Sequence, residues 1–135
     1  MKTIADLHIH SRFSMATSKE STPENLDFWA RKKGISLIGT GDFTHPVWRE
    51  ELKERLVTDG NGLYRLRDAY VKEESRKFPG EGTHFVVSGE ISSIYKKNGK
   101  TRKVHNVILL PSLEAADAMA QRLEKIGNIH SDGRP

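Results

Sequence analysis

Apolar and polar positions along the chain switch repeatedly between a two-residue and a three-to-four-residue period, which divides it into strand-like and helix-like segments. Residues 3–9 read as a strand rich in β-branched and apolar positions. A polar stretch, SRFSMATSKES, leads to the next helix signal. There Thr22 can cap the helix, Pro23 suits its first turn and Glu24 adds negative charge at its N-terminus. Leu26, Trp29 and Ala30 at i, i+3 and i+4 predict one buried stripe, and Gly34 predicts the stop. ISLIGT (35–40) is a short apolar run bounded by glycine, as in a strand buried on both faces. A second helix is expected over 46–57, opening on Pro46, burying Trp48, Leu52 and Leu56, and closed by the glycines of DGNGL. Residues 63–78 have no clean period and admit a helix. HFVVSGEISSIYKK and KTRKVHNVILL flank Asn98-Gly99, a signal for a two-residue hairpin turn. Ser112 caps a final helix with Leu113, Ala116, Ala120 and Leu123 on one side and Gly127 after its end.

A β-α-β-α order followed by a hairpin and a further helix predicts an α/β layered or barrel architecture. A complete barrel of this type takes about 250 residues. With 135 residues ending on a loop signal, DGRP, the chain is expected to be one N-terminal portion of such a domain, truncated before closure.

Composition narrows the function. Hydrophobic residues make up 36% and charged residues 30%, a soluble globular balance. No apolar run approaches the roughly 20 residues of a membrane helix. TIADLHIH is interrupted by Asp6 and two histidines, unlike a signal peptide. The expectation is a cytoplasmic protein without a membrane partner. There is no cysteine, so disulfides and thiolate zinc sites are excluded and a metal must be held by His, Asp or Glu. The net charge of +4 tolerates a polyanionic partner without demanding one.

Three clusters carry candidate chemistry. His8 and His10, two apart in the first strand, project to one side near its C-terminal end. Asp6 shares their parity and can buttress a ring nitrogen; solvated or core-satisfied histidines are the plainer account. Asp42 and His45 of GDFTHP (41–46) fall in a strand-to-helix loop, where α/β barrels carry catalytic groups. The plainer account there is a helix cap beside an incidental histidine. Glu90 and His105 lie in the apolar strands of the hairpin, where a carboxylate is costly unless paired or bound to metal. Pairing about Asn98-Gly99 sets Glu90 or Ile91 roughly opposite His105 or its neighbours, so the two can meet on one face unless the register slips by one. A buried ion pair competes with a metal reading. Together these six residues form a hard oxygen-and-imidazole set suited to divalent ions: zinc first, with manganese, iron or magnesium as alternatives. Glu90 can bridge two ions, and Glu90 and Asp42 are the catalytic candidates. At the hairpin tip Lys96, Lys97, Lys100, Arg102 and Lys103 can contact phosphates or simply be solvated, and Tyr95 can stack on a base or lie partly buried.

The stretches ADLHIHSRFSMATSK, LIGTGDFTHPVWREEL, SGEISSIYKKNGKTRKVHNVILLP and GNIHSDGRP resemble the PHP (polymerase and histidinol phosphatase) family, and within it endonuclease Q and its relatives. The resemblance implies a distorted (β/α)7 barrel with two or three divalent ions. It also implies cleavage of DNA on the 5′ side of deaminated bases such as uracil and hypoxanthine, or of abasic sites. On this carry-over His8, His10 and Glu90 hold one ion, Glu90 and His105 help hold a second, and His45 is the candidate for a third. The chain departs from the pattern in several places. Phe43 follows Asp42 where the family has an adjacent histidine, which makes His45 a weaker ligand and Asp42 a candidate outer carboxylate. Ala16 stands where a histidine or an acid is common, and the closing Asp-x-His motif is missing. His130, beside SDGRP, lies near where the family supplies another ligand. The incomplete ligand set predicts weak or absent catalysis and low stability for this chain alone. Two other functions remain open: a small-molecule phosphatase of the histidinol phosphatase type, against which the basic hairpin argues, and a non-catalytic remnant that binds metal or DNA.

Overall fold

The structure, a computed structural model, describes residues 2–15 and 17–127; Ala16, His130 and the SDGRP stretch lie outside the described residues. Its elements are β1 (Ala5–Asp6), α1 (Pro23–Lys33), β2 (Leu37–Gly39), α2 (Pro46–Arg55), β3 (Leu56–Thr58), β4 (Tyr64–Leu66), β5 (His84–Lys97), β6 (Lys100–Leu110) and α3 (Leu113–Glu124). The strands form one mixed sheet in the order β1-β2-β5-β4-β3, with β6 paired to β5. β1, β2 and β5 run parallel, while β3, β4 and β6 pair antiparallel. The fold is therefore α/β with a mixed sheet. β1 and β3 stand at the ends of the path, so the sheet does not close on itself among the described residues.

The helix termini follow the sequence signals. Thr22 caps α1 by accepting from the Asn25 amide, and Gly34 ends it in the left-handed conformation at φ 74°. The Ser112 hydroxyl accepts from the Ala115 amide at 3.0 Å to start α3, and the Tyr64 hydroxyl accepts from the Leu113 amide at 2.9 Å. Asn98 and Gly99 both take positive φ, 54° and 71°, as a two-residue hairpin turn requires.

Other elements differ from expectation. On α1 the buried positions are Pro23, Asp27 and Ala30, while Trp29 is 50% exposed beneath the Lys32 ammonium. A charged residue faces inward there because Arg31, one turn on, pairs with Asp27 at 2.9 Å. β1 covers two residues rather than seven, and the chain leaves it before reaching the histidines. α2 ends at Arg55, so the buried Leu56 opens β3, and the DGNGL glycines turn the β3–β4 hairpin instead of closing a helix. The aperiodic 63–78 stretch holds β4 and two single-turn 3-10 helices, Asp68–Tyr70 and Glu73–Ser75.

Phe43, Trp48, Leu52, Phe85 and Val87 are fully buried and centre the core. This core sits directly beneath the loop from β2 to α2. The Trp48 indole N–H donates to the Gly41 carbonyl at 2.9 Å, and the Arg49 guanidinium donates to the carbonyls of Phe43 and Thr44 at 2.9 and 2.7 Å. α2 is tied to α3 where Arg49 and Lys53 reach Asp117 at 2.9 and 2.7 Å.

Candidate metal centre

Three segments meet above this core: the chain after β1 carrying His8 and His10, the 40–45 loop carrying Asp42, and the middle of β5 carrying Glu90. β5 holds the loop in place. The Phe43 amide donates to the Ser88 carbonyl at 3.1 Å and the Gly41 amide to the Ser88 hydroxyl at 3.0 Å, while the Ser88 amide donates to the Thr40 hydroxyl at 3.0 Å. The His-bearing segment lies close over Gly41, whose φ of 66° and proximity to the Ile9 carbonyl leave no room for a side chain. Asp42 locks the same two segments together. Its Oδ2 accepts from the Ser11 amide at 2.7 Å and the Ser11 hydroxyl at 2.5 Å. A further ion pair, Arg12 to Glu51 at 2.7 Å, fixes the chain just beyond.

Glu90 sits at the middle of the cluster. Its Oε2 lies 2.6 Å from His8 Nε2 and 3.1 Å from His10 Nε2, while its Oε1 meets His105 Nδ1. Ligand atoms from His8, His10 and Glu90 all lie within 4.8 Å of one another. The Glu90 side chain is only 13% exposed, against 52% for His8 and 56% for His105, so the carboxylate forms a floor and the imidazoles an open rim. The His8 hydrogen bond holds the Glu90 carboxyl down at about 2, with burial opposing and His105 assisting, so it is fully ionised near neutral pH.

The donor set fits a divalent cation on electrostatic grounds. His10 faces carboxylates at both ring nitrogens, Asp42 Oδ1 at 3.2 Å from Nδ1 and Glu90 Oε2 at 3.1 Å from Nε2. A neutral imidazole has one N–H, so it can donate to only one of them and turns a lone pair toward the other. With the proton on Nδ1 toward Asp42, the Nε2 lone pair and the Glu90 oxygen point at the same region, an arrangement that a cation relieves.

The structure brings together His8, His10, Asp42, Glu90 and His105, the two hairpin residues through their parity. Ser92 is opposite His105 and Val107 opposite Glu90, so Glu90 and His105 share a face as diagonal neighbours. His45 occupies a different position. It is the N-cap of α2, its Nδ1 accepting from the Trp48 amide at 3.4 Å, and its ring stacks on Phe13 with centroids 4.2 Å apart. Asp6 does not support an imidazole ring; its Oδ1 accepts from the backbone amide of His8 at 3.3 Å. Asp42 contacts His10 and Ser11 and lies behind the ring rather than among the atoms facing Glu90. Ser11, fully buried and donating twice to Asp42, is the participant that the sequence reading passed over, although its place directly after His-x-His marks it. The five basic residues at the hairpin tip are all exposed.

No family model matches the chain. An uncharacterised protein of Methanocaldococcus jannaschii is 35% identical over 131 residues, which is 96% of this chain and 13% of that protein. The fold is similar to the crystal structure of a lesion-specific endonuclease Q from Pyrococcus furiosus, with a TM-score of 0.73, 27% identity and coverage of 98% of this chain and 28% of that one. It is also similar to endonuclease Q in complex with a 27-mer duplex substrate carrying an abasic lesion at the active site. There the TM-score is 0.68 and the identity 27%, over 97% of this chain and 28% of that one. The chain thus spans a small part of each protein that it matches. Among the described residues no helix is long and apolar enough to cross a membrane.

Proposed function

We propose that this chain carries the metal-binding part of a DNA-repair endonuclease of the endonuclease Q type, a metal-dependent phosphodiester hydrolase. The observation that carries the proposal is the two-sided placement of Glu90, with His8 and His10 against one oxygen and His105 against the other. A carboxylate so placed can serve two ions. His8, His10 and Glu90 would hold the first; Glu90 and His105 would contribute to the second, and His45 would reach a further ion only through Nε2, since Nδ1 caps α2. Nitrogen and carboxylate oxygen donors without sulfur suit zinc, manganese or iron. Bound divalent ions would polarise a phosphoryl oxygen and lower the pKa of a water molecule. The chain's own residues fix the donors: Asp42 orients His10, Ser11 orients Asp42, and the 40–45 loop is clamped to β5. The exposed rim leaves the centre open to a macromolecular phosphodiester, and the basic hairpin beginning at Glu90 provides charge for a nucleic-acid backbone. Endonuclease Q, with the same fold over this region, has been seen with duplex DNA carrying an abasic lesion.

The test is cleavage of duplex oligonucleotides containing deoxyuridine, deoxyinosine or an abasic site by the full chain with zinc, manganese or magnesium, beside a phosphomonoester substrate and a Glu90→Ala control. Slow incision 5′ of the lesion, as the incomplete ligand set requires, that disappears in the control is the expected result. Phosphomonoester turnover without DNA incision would instead support a small-molecule phosphatase. Metal binding with neither activity would leave a non-catalytic binder.

A further inference from the structure

Beyond Val86, β5 leaves β2 and β4 behind and continues paired with β6 alone, from Val87 opposite Leu110 to Lys97 opposite Lys100. The outer part of this ribbon, residues 93–97 and 100–107, is exposed. From the Ser92–His105 pair to the Lys97–Lys100 pair it extends five residues, about 17 Å at strand spacing. Between Ile91 and Leu110 it contains five Lys and Arg residues and no Asp or Glu.

The register sorts these charges by face. Residues directly opposite in an antiparallel pair point to the same side, and successive residues alternate. Glu90, His105, Lys103 and Lys96 therefore lie on one face. Tyr95, Arg102, Lys97 and Lys100 lie on the other, with Tyr95 directly opposite Arg102. A ribbon lying flat against one phosphate backbone needs its positive charge on one side only. Charge on both sides fits a position between two anionic walls. The major groove of B-form DNA, about 12 Å wide, admits a two-stranded ribbon, whereas the minor groove at about 6 Å does not.

Building on the nuclease reading above, we propose that the β5–β6 ribbon enters the major groove of duplex DNA. Lys96 and Lys103, on the face continuous with the metal centre, track the strand to be cut. Lys97, Lys100 and Arg102 contact the complementary strand. Both sets make phosphate contacts, and Tyr95 packs beside Arg102 at the groove wall.

The experiment measures binding of the full chain to fluorescent duplex and single-stranded oligonucleotides of one sequence, each with an abasic site, by anisotropy across a salt series with chelator present to prevent cleavage. Two variants are compared with the wild-type protein: Lys96→Gln/Lys103→Gln, and Lys97→Gln/Lys100→Gln/Arg102→Gln. All five side chains are exposed, and unchanged circular dichroism and melting confirm folding. On duplex DNA the slope of log K against log salt should fall in magnitude by about 1.8 for the pair and about 2.7 for the trio, at about 0.9 per phosphate contact. On the single strand the pair should lose affinity, and the trio should stay within twofold of wild type. A duplex slope unchanged in either variant, or equal losses by both variants on the single strand, would overturn the two-sided placement while leaving the nuclease reading intact. A wild-type protein that binds neither oligonucleotide would remove the nuclease reading and this proposal together.

Discussion

Replacing Asp42 by asparagine preserves the shape of the side chain and changes which of its atoms can accept a hydrogen bond. Asp42 has φ 49°, in the left-handed region that asparagine also tolerates, so the backbone need not move. The Ser11 amide is a fixed donor 2.7 Å from Oδ2. The new amide group must therefore turn its oxygen to Ser11 and its NH2 toward His10 Nδ1. That orientation makes Nδ1 an acceptor and moves the imidazole proton to Nε2, the nitrogen facing Glu90. A protonated Nε2 cannot ligate a metal. Loss of such an outer partner weakens metal binding by about 10–100-fold, or about 1.4–2.8 kcal/mol. Stability of the metal-free protein should fall by only about 1 kcal/mol, because the Ser11 bond survives in neutral form. Asp42→Ala separates the two effects. It removes the acceptor entirely and places an alanine in the left-handed region at about 1–2 kcal/mol, so it should weaken metal binding and stability together. Competition with a chromophoric zinc chelator measures the first quantity, and thermal melting of metal-free protein measures the second. If Asp42→Asn binds zinc within threefold of wild type, Asp42 does not set the His10 tautomer, and its function is limited to tying Ser11 to the loop.

Three further outcomes follow from other contacts. Glu90→Gln keeps the floor's shape but removes the charge shared by three imidazoles, so zinc affinity should fall by more than about 100-fold, beyond the range for an outer partner; retention of metal by inductively coupled plasma mass spectrometry would count against Glu90 as a ligand. Gly89→Ala would place a methyl group 2.5 Å from Cδ1 of the fully buried Phe43 ring, and overpacking of that kind should cost about 1–3 kcal/mol in urea unfolding; an unchanged midpoint would mean that the ring has space to shift. Partial burial acts to raise the Asp117 carboxyl, but hydrogen bonds from Lys53 and Arg49 outweigh it and hold the group below its ordinary value of 3.8. The resulting stability is present above pH 3.8 and is lost as pH falls through the lower folded value. Because Asp117 is 34% exposed, Asp117→Asn should cost about 1 kcal/mol or less near neutral pH; a melting deficit at pH 7 that shrinks as pH is lowered below 3.8 would confirm it.

Local signals in the sequence located most elements because they act within one turn of the chain. The caps at Thr22 and Ser112 and the Asn98-Gly99 turn depend on backbone groups two or three residues away, so residue type alone specifies them. Signals failed where a side-chain partner or a neighbouring strand changed a residue's preference. Asp27 is buried in its ion pair with Arg31, and Trp29 on the same helix is left half exposed. Leu56 was correctly expected to be buried, but it is the pairing of β3 with β4 that makes it strand rather than helix. Nothing in the 63–78 pattern shows that Tyr64 pairs with Phe85 and caps α3.

The candidate site divides along the same line. His8 and His10 were recognisable as a pair because two-residue spacing puts both rings on one side, and this holds although the regular strand ends at Asp6. Glu90 stood out as a carboxylate in an apolar strand, and parity across the hairpin brought His105 to it through Ser92 rather than by direct opposition. What each atom faces depended on the tertiary fold. Asp42 turns toward Ser11 and His10 because the 40–45 loop is held to Ser88 and capped below by Trp48 and Arg49. His45, placed three residues before Trp48, is drawn to the start of α2 by the free amides there. The same GDFTHP segment thus supplies a carboxylate that orients a ligand and a histidine that begins a helix. The difference follows from where the loop meets β5, since Phe43 between them is fully buried and sends its neighbours in different directions.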